Sequence, residues 1–311
     1  MHRADHLTRR IRRSLDVLLL AGAAACSACG AAGPPTATVT LIDDMEGTPA
    51  GAIPWIPPPS KAPGNWFVQT DCTENDRISP RPWTVPGGGW SYEELLAPHE
   101  TWPGVMSVHA ARLRTTTPLT SVWGAVMGVD LLPEIPKVGP DGQPLAAVQP
   151  VTGPGCRQPT TRDYDGETVD LSAYTGITFW AMADPNGLHT IRVHVRDQST
   201  DPRGGVCTGR APDSDADCYN DFTFPLVLTE AFTRYTVDFS TMHQDPSWGE
   251  PSWREPPETK AVDLRHVYAI AFQADLPSCA FSQVEICAGS EPPSFALDFR
   301  IDDLYLVNRT P

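Results

Sequence analysis

Residues 295–306 read Phe-Ala-Leu-Asp-Phe-Arg-Ile-Asp-Asp-Leu-Tyr-Leu, and residues 41–47 read Leu-Ile-Asp-Asp-Met-Glu-Gly. Both stretches are apolar and strand-like, and adjacent carboxylates interrupt both of them. Carboxylates within an apolar strand are costly unless something pairs with them, and a bound cation is one such partner. The two stretches therefore predict a first and a last strand that meet around a metal ion.

The apolar residues of the closing stretch change face part of the way along it. Every second residue up to Ile301 is apolar, whereas strict alternation would turn Leu304 and Leu306 to the opposite face. The change of phase falls at Asp302 and Asp303. Because a strand keeps a period of two unless a residue is inserted, this slip predicts a β-bulge or a local site.

The composition favours short strands over helices. The chain has 33 Pro among 311 residues, well above the usual ~5%, and no stretch keeps a helical period beyond a turn or two. A hydrophobic fraction of 41% is enough for a core. We predict an all-β fold, an antiparallel β-sandwich of about eight to ten strands with long irregular loops. The strand candidates are residues 105–113, 122–129, 176–183, 190–197, 222–228, 232–239 and 267–274, with 49–103 dominated by loops and 133–165 a long insertion.

One strand candidate has a charged face. Residues 190–197 alternate strictly, with aliphatic residues on one face and Arg192, His194 and Arg196 on the other. On the concave sheet of a sandwich these side chains would contact a ligand by hydrogen bonding to hydroxyls or carboxylates. On the convex sheet they would only be solvated.

The first 30 residues are typical of an export leader. A basic start formed by Arg9, Arg10, Arg12 and Arg13 precedes an apolar stretch from Leu15 to Ala25, which is too short to cross a bilayer. Cys26 follows three alanines, as in a lipobox, and Cys29 is a second possible acceptor for a lipid. We expect an outer-membrane-anchored lipoprotein or an extracellular protein, with simple cleavage as the alternative to lipidation. Residues 31–37 form a short tether, and residues 38–308 form a single domain.

The charge of the chain bears on its partners. The formal net charge is −15, and removal of residues 1–25 takes away five Arg and two Asp, which leaves the mature chain more acidic still. An acidic surface repels phosphate backbones, so we expect no nucleic-acid partner. We expect a monomer that contacts a membrane only through its lipid anchor.

Six cysteines follow the leader, an even number that suits an oxidising compartment. Proximity in sequence favours the pairs Cys207–Cys218 and Cys279–Cys287, which leaves Cys72 with Cys156. Fifteen connectivities are possible for six cysteines. Zinc is the alternative role, and the mature chain lacks the CxxC pairs that zinc sites commonly use.

Several motifs recur in an order that resembles a known family. An opening Asp-x-x-Glu-Gly at residues 43–47 is followed by Gly-Ile-x-Phe-Trp-Ala at 176–181, then by the alternating strand at 190–197 and the closing Ile-Asp-Asp-Leu-Tyr-Leu at 301–306. This order resembles the galactose-binding-like jelly rolls that serve as carbohydrate-binding modules. It looks most like the versions found in secreted bacterial lipoproteins, over roughly residues 38–308.

The resemblance implies a structural calcium ion. In that family the opening-strand Glu and a closing-strand Asp commonly hold Ca²⁺, and the matching residues here are Glu46 and Asp302, with Asp44 and Asp303 as neighbours. Calcium takes six to eight oxygen ligands, so backbone carbonyls or another acid would complete the shell. The alternative is that these acids accept hydrogen bonds from backbone N–H groups or end their strands in water.

Tryptophans outside the clear strands are candidates for ligand contact. The chain has nine Trp, and flat indole rings stack on the C–H faces of sugars. We assign this role to Trp66, Trp90, Trp102 and Trp248. The alternative is ordinary packing, because tryptophan is mostly buried on average.

The function that these features favour is non-catalytic binding of a polysaccharide or glycan. The sequence contains no GxSxG, HExxH or phosphate-binding loop. Carboxylate pairs for glycoside hydrolysis need not be close in sequence, so a secreted polysaccharide-acting enzyme is one alternative. A protein-binding surface domain or adhesin without affinity for sugar is the other.

Overall fold

The computed structural model describes residues 38–47, 52, 54–57, 63–70, 78–79, 92–102, 105–115, 125–133, 135–136, 164–204, 206–207, 218–244, 261–274 and 296–309. All of them belong to one compact unit, residues 37–311. None of the helices in the part described is long and apolar enough to cross a membrane.

Regular structure among these residues consists of β-strands and two short 3₁₀ turns, Pro202–Gly204 and Phe239–Thr241. The strands are β1 Val39–Asp43, β2 Asn65–Thr70, β3 Ile78–Ser79, β4 Glu93–Trp102, β5 Val105–Thr115, β6 Ala125–Asp130, β7 Ile135–Pro136, β8 Tyr164–Asp165, β9 Tyr174–Ala183, β10 Thr190–Asp197, β11 Phe222–Val227, β12 Thr233–Asp238, β13 Val267–Ala274 and β14 Asp298–Asn308.

The strands form an antiparallel β-sandwich. A seven-stranded sheet has the order β12-β9-β14-β5-β3, with β1 added on β14 and β4 on β5, and a five-stranded sheet has the order β11-β10-β13-β6-β2. The two sheets enclose one apolar core. Phe179 of the first sheet meets Phe272 of the second edge to face, with ring centroids 5.0 Å apart. The predicted all-β sandwich is confirmed.

The first and last strands meet, as the two ends of the sequence predict. β1 pairs with β14, with Leu41 opposite Tyr305. Along the same edge β14 pairs first with β5 and then with β1, and the change of partner falls at Asp302 and Asp303. There the register with β9 shifts, and Asp303 has φ of 49°. The predicted bulge is therefore present, and its left-handed residue is an Asp, one of the types that tolerate this conformation.

The stretch predicted to be dominated by loops, residues 49–103, contains three of the described strands, β2, β3 and β4. β2 runs along the edge of the five-stranded sheet, with Trp66 and Val68 facing the core. β4 pairs only with β5, off the main path of its sheet, and contains Pro98. Proline is rare in central strands but is tolerated in edge strands. The high proline content of this stretch therefore led to a prediction of loops where β2 and β4 occur.

One predicted disulfide is confirmed. Cys207 and Cys218 are bonded, with Cα atoms 5.2 Å apart. The predicted pairs Cys279–Cys287 and Cys72–Cys156 lie outside the described residues and stay predictions, as do the leader and its lipidation sites at Cys26 and Cys29.

Candidate functional site

The charged side of β10 lies on the outer face of the five-stranded sheet. Ile191, Val193 and Val195 enter the core, and the residues between them, Arg192, His194 and Arg196, turn away from it. We call this outer surface of β2, β6, β13, β10 and β11 the polar face. Most of its β10 side chains are buried, because His194 is 7% exposed and Arg196 is 6% exposed.

Small residues form the floor of the polar face. Register places Phe67, Gly128, Ala271 and His194 in one row across β2, β6, β13 and β10. A Cβ atom at Gly128 would lie 2.7 Å from both the Cβ of Ala271 and the Cζ of Phe67. Only glycine therefore lets the phenyl ring of Phe67 lie across β6.

The side chain of Arg196 extends over this floor. Its guanidinium lies 5.3 Å from the ring centroid of Phe67, and its Nη2 donates to Oε1 of Gln69 across 3.2 Å. Its Nε donates to Oδ2 of Asp221 at 3.0 Å. Burial alone would lower the pKa of Arg196, but the neighbouring carboxylates of Asp221 and Asp201 raise it, so the guanidinium stays charged.

A second buried arginine braces the same side of the molecule. The Nη2 of Arg203 donates to Oδ1 of Asp130 at 2.9 Å and to Oδ2 of Asp201 at 2.8 Å. Its guanidinium lies 4.7 Å from the ring centroid of Tyr268. Both buried guanidinium groups, of Arg196 and Arg203, are thus paired with carboxylates, as the low dielectric of a protein interior requires.

His194 and Asp221 each keep one side without a protein partner. The Nδ1 of His194 lies 3.4 Å from Oδ2 of Asp221. The other ring nitrogen, Nε2, and the other carboxylate oxygen, Oδ1, are buried and have no hydrogen-bond partner in the structure. Burial lowers the pKa of His194, so its imidazole is neutral at pH 7.

Half-buried side chains lie beside these buried charges. They are the ring of Phe67, the amides of Gln69 and Gln273 and the guanidinium of Arg192. Gln69, Gln273 and Arg192 belong to one cross-strand row, with Val126 between the two amides. Amides and guanidinium groups hydrogen bond to hydroxyls, and an aromatic ring offers an apolar face, so the row has the chemistry to bind a polyhydroxy molecule.

The tryptophans predicted to contact ligand are placed differently. Trp66 is 5% exposed and belongs to the core, where its Nε1 donates to Oδ2 of Asp43 across 2.7 Å. Trp102 ends β4, and its side chain is not described. Trp90 and Trp248 lie outside the described residues. The aromatic residue that reaches the polar face is Phe67, the neighbour of Trp66.

Sequence reasoning missed Phe67, Asp221 and Arg203. The position of Phe67 could have been predicted from the alternation of β2. Neighbouring residues of a strand face opposite sides, so Phe67 points outward if Trp66 lies in the core. The other two follow irregular segments, and no local spacing brings them to β10.

At the junction of β1 and β14, Glu46 is engaged by β5. Its Oε1 accepts hydrogen bonds from the hydroxyl of Ser107 at 2.8 Å and from the backbone N–H groups of Val108 and His109 at 2.7 and 2.9 Å. Its Oε2 lies 3.1 Å from Nδ1 of His109. Burial raises the pKa of Glu46, but these hydrogen bonds outweigh it and leave the pKa lowered. The carboxylate thus covers backbone donors of β5.

Asp302 and Asp303 are buried at the same junction. Oδ2 of Asp302 lies 2.7 Å from Nε2 of His99, whose ring stacks on Phe232 with centroids 3.9 Å apart. Asp303 is 3% exposed, and its Oδ2 has no hydrogen-bond partner in the structure. Burial, together with the neighbouring carboxylates of Asp302 and Asp44, raises the pKa of Asp303 to about 6.

These residues fit a cation only in part. The open oxygen of Asp303, next to two other carboxylates, is the kind of atom that a calcium ion would satisfy. The carboxylate of Glu46 instead accepts its hydrogen bonds from protein donors on β5. Over the stretches that the structure describes, no three His, Cys, Asp or Glu side chains are grouped as metal ligands. The calcium ion stays a prediction.

No model of a protein family matches the chain, and a search of curated proteins finds no match either. Among solved structures, it is similar to the Family 11 carbohydrate-binding module of cellulosomal cellulase Lic26A-Cel5E of Clostridium thermocellum, at 11% identity and a TM-score of 0.39 over 88% of this chain and 96% of that one. The Clostridium thermocellum Family 11 module in complex with a β-1,3-1,4-mixed-linked tetrasaccharide is similar at 11% identity and a TM-score of 0.38, over 87% and 95% of the chains. A Family 30 carbohydrate-binding module is similar at 12% identity and a TM-score of 0.31, over 70% and 87%. Similarity at this level specifies no ligand for this chain.

Proposed function

We propose that this protein binds carbohydrate on its polar face without chemically changing it. The observation that carries the proposal is the arrangement around Arg196, a buried arginine that pairs with Asp221, contacts the ring of Phe67 and donates to the amide of Gln69. A binding surface is most effective when its contact groups are held in place before the ligand arrives. Sugars need such a surface, because each hydroxyl exchanges water for a protein partner.

The ion pairs favour binding over catalysis. Asp130, Asp201 and Asp221 each have a carboxylate oxygen bonded to an arginine. Glycoside hydrolysis needs one carboxyl group that is protonated and a second that acts as nucleophile or base. Each of these three carboxylates is engaged by a guanidinium group, so this set does not present the free acid and base of such a pair.

Affinity electrophoresis in gels that contain a soluble polysaccharide tests the proposal. Mixed-linkage β-glucan is the first probe, since a tetrasaccharide of that linkage is the ligand named for a similar module. Xylan and galactomannan complete the panel. We expect retardation by at least one of them that Phe67→Ala weakens at least fivefold. Phe232→Ala, which removes a half-buried ring that stacks on His99 of β4, is the matched control. No retardation of folded protein by any of the three would overturn the proposal.

We also propose a structural calcium ion at the junction of β1 and β14, with Asp303, Asp302 and Asp44 as its carboxylate ligands. Support comes from the buried, unpaired oxygen of Asp303. Glu46 keeps its bonds to β5. Thermal unfolding with calcium and with chelator is the test. We expect Asp302→Ala to lower the melting temperature and to abolish stabilisation by calcium. An equal calcium response in the variant and the parent protein would overturn this assignment.

Export and lipidation complete the proposal. We expect Cys26 or Cys29 to accept the lipid that anchors the protein in the outer membrane, with the carbohydrate ligand outside the cell. Incorporation of labelled palmitate into the wild-type chain, and its loss in Cys26→Ser or Cys29→Ser, would identify the acceptor. Release of unlabelled protein into the medium would support simple cleavage.

A further inference from the structure

The polar face contains two buried polar atoms that the protein leaves without a partner. They are Nε2 of His194 and Oδ1 of Asp221, on residues that are 7% and 4% exposed. Both belong to one group, because Nδ1 of His194 lies 3.4 Å from the other oxygen of Asp221. Buried polar atoms in native proteins are nearly always hydrogen bonded, so a pair of open ones indicates a missing partner.

Both open atoms are acceptors. The ring proton of a neutral His194 belongs on Nδ1, which faces the carboxylate, and this leaves a lone pair on Nε2. The other carboxylate oxygen of Asp221, Oδ2, accepts a hydrogen bond from Nε of Arg196 across 3.0 Å. Oδ1 of the same carboxylate is an acceptor as well. A molecule that fills both positions has to donate two hydrogen bonds.

The charge around the pair does not favour an anion. The carboxylates of Asp130, Asp201 and Asp221 engage the guanidinium groups of Arg196 and Arg203. The guanidinium of Arg192 lies two residues from His194 on β10, in the neighbouring cross-strand row, and does not change the acceptor character of the two open atoms. A carboxylate or sulfate ligand would bring further acceptors to a site whose open atoms are acceptors themselves. The net charge of the chain, −15, adds repulsion at longer range.

We infer that the carbohydrate bound here is a neutral glycan, two of whose hydroxyl groups donate to Nε2 of His194 and Oδ1 of Asp221. The inference rests on the proposed function and names its class of sugar. The site lies close to solvent, because Thr223, the residue opposite His194 on β11, is only half-buried. Sites built around hydrogen bonds to a ligand reject analogues that lack the bonding group, since the protein atoms are then left unpaired.

Retention of the wild-type protein by three kinds of polymer tests the assignment of a neutral glycan directly. They are the neutral panel above, the acidic polymer polygalacturonate, and a fully O-methylated form of each neutral polymer that is retained. The methylated form keeps its ether oxygens as acceptors but has lost every O–H donor. We expect retention by a neutral polymer at least tenfold stronger than by its methylated form or by polygalacturonate.

A substitution locates the effect. His194→Phe keeps a flat ring but removes the acceptor, and we expect it to weaken retention on the neutral polymer about tenfold. His266→Phe, at an exposed ring paired with Asp263, is the matched control and should leave retention unchanged. Thermal unfolding of both variants establishes that they are folded. If His194→Phe does not fold, the comparison with methylated polymer in the wild-type protein still decides.

The outcomes separate the inference from the function on which it rests. Equal retention on a neutral polymer and its methylated form would overturn the inference alone and assign the two atoms to an internal water molecule. Equal retention on polygalacturonate, or no effect of His194→Phe in folded protein, would also overturn it. No retention on any polymer would overturn the proposed function together with the inference.

Discussion

The indole Nε1 of Trp66 donates a hydrogen bond to Oδ2 of Asp43 across 2.7 Å, and this bond links the two sheets of the sandwich. Asp43 ends β1 in the seven-stranded sheet, and Trp66 lies on β2 in the other. The hydroxyl of Tyr92 donates to the same oxygen at 2.6 Å, and the backbone N–H of Met45 donates to Oδ1 at 3.0 Å. A buried carboxylate is thus stabilised by three donors from separate parts of the chain.

Removal of the indole donor should destabilise the fold. Trp66→Phe leaves a buried carboxylate with one donor fewer and a smaller ring in the core, and we expect a loss of about 2–4 kcal/mol in the free energy of unfolding. Urea titration followed by circular dichroism measures it. Trp55→Phe makes the same change at a half-buried tryptophan beside the core. Similar losses in the two variants would show that ring size, and not the bond to Asp43, sets the cost.

Asp303 should make the protein less stable as the pH rises. Burial raises the pKa of this carboxyl to about 6 in the folded state, from an ordinary value of 3.8. Protonation therefore favours the folded form. In chelator, stability should fall between about pH 4 and pH 6 and stay low above that range, by roughly 3 kcal/mol in total.

Asp303→Asn tests that pH dependence. Asparagine tolerates the positive φ of residue 303 and carries no charge. In chelator we expect the variant to be more stable than the wild type at pH 7 and equal to it at pH 4, as measured by urea unfolding. A variant that is less stable at both pH values would mean that the ionised carboxylate has a partner that stabilises it.

Glu46 should stabilise the protein through the β5 backbone. Glu46→Ala removes the acceptor of two N–H groups and the Ser107 hydroxyl, and we expect a loss of about 1 kcal/mol because the site is partly exposed. The lowered pKa of Glu46 means that this contribution is present above its unfolded pKa and is lost as the pH falls through the folded value. Glu94→Ala, at an exposed acid on β4, is the control. Equal unfolding curves for the two variants at pH 7 would contradict the role.

Gly128 should be intolerant of any side chain. The added methyl group of Gly128→Ala would lie 2.7 Å from the ring of Phe67 and from Ala271, so the ring has to move. We expect a loss of about 1–3 kcal/mol in stability and weaker retention on polysaccharide. Gly47→Ala is the matched control, because nothing lies within 4 Å of its added Cβ. If Gly128→Ala changed neither the stability nor the retention on polysaccharide, the ring of Phe67 would not lie against Gly128 in the way described.

Strand-level features of the fold followed from the sequence because they depend on local alternation. The strict pattern of residues 190–197 located β10 with its bounds, and the phase slip at Asp302 located the bulge. β2 and β4 were missed because proline and glycine around them resemble loop composition.

The site was harder to predict because its contacts are not local. The face of His194 and Arg196 could be predicted from alternation, but their partner Asp221 lies 25 residues from Arg196, and Arg203 reaches Asp130 across 73 residues. Nothing in the spacing of the sequence specifies such pairs. The partner of Glu46 was equally hard to predict. The sequence shows an acidic residue next to a strand, but it does not show whether the carboxylate will accept hydrogen bonds from backbone N–H groups or bind a cation.

The central position of β14 also constrains how the chain acquires its fold. Thirteen of the strands in the described part of the chain precede β14, yet β9, β5 and β1 all pair with it. The seven-stranded sheet therefore lacks its middle until residues 298–308 are available, and folding that depends on such distant contacts is slow, on the order of milliseconds to seconds. A nascent chain shorter than this would remain without a closed core, which keeps it open to chaperones and proteases until its final strand has emerged.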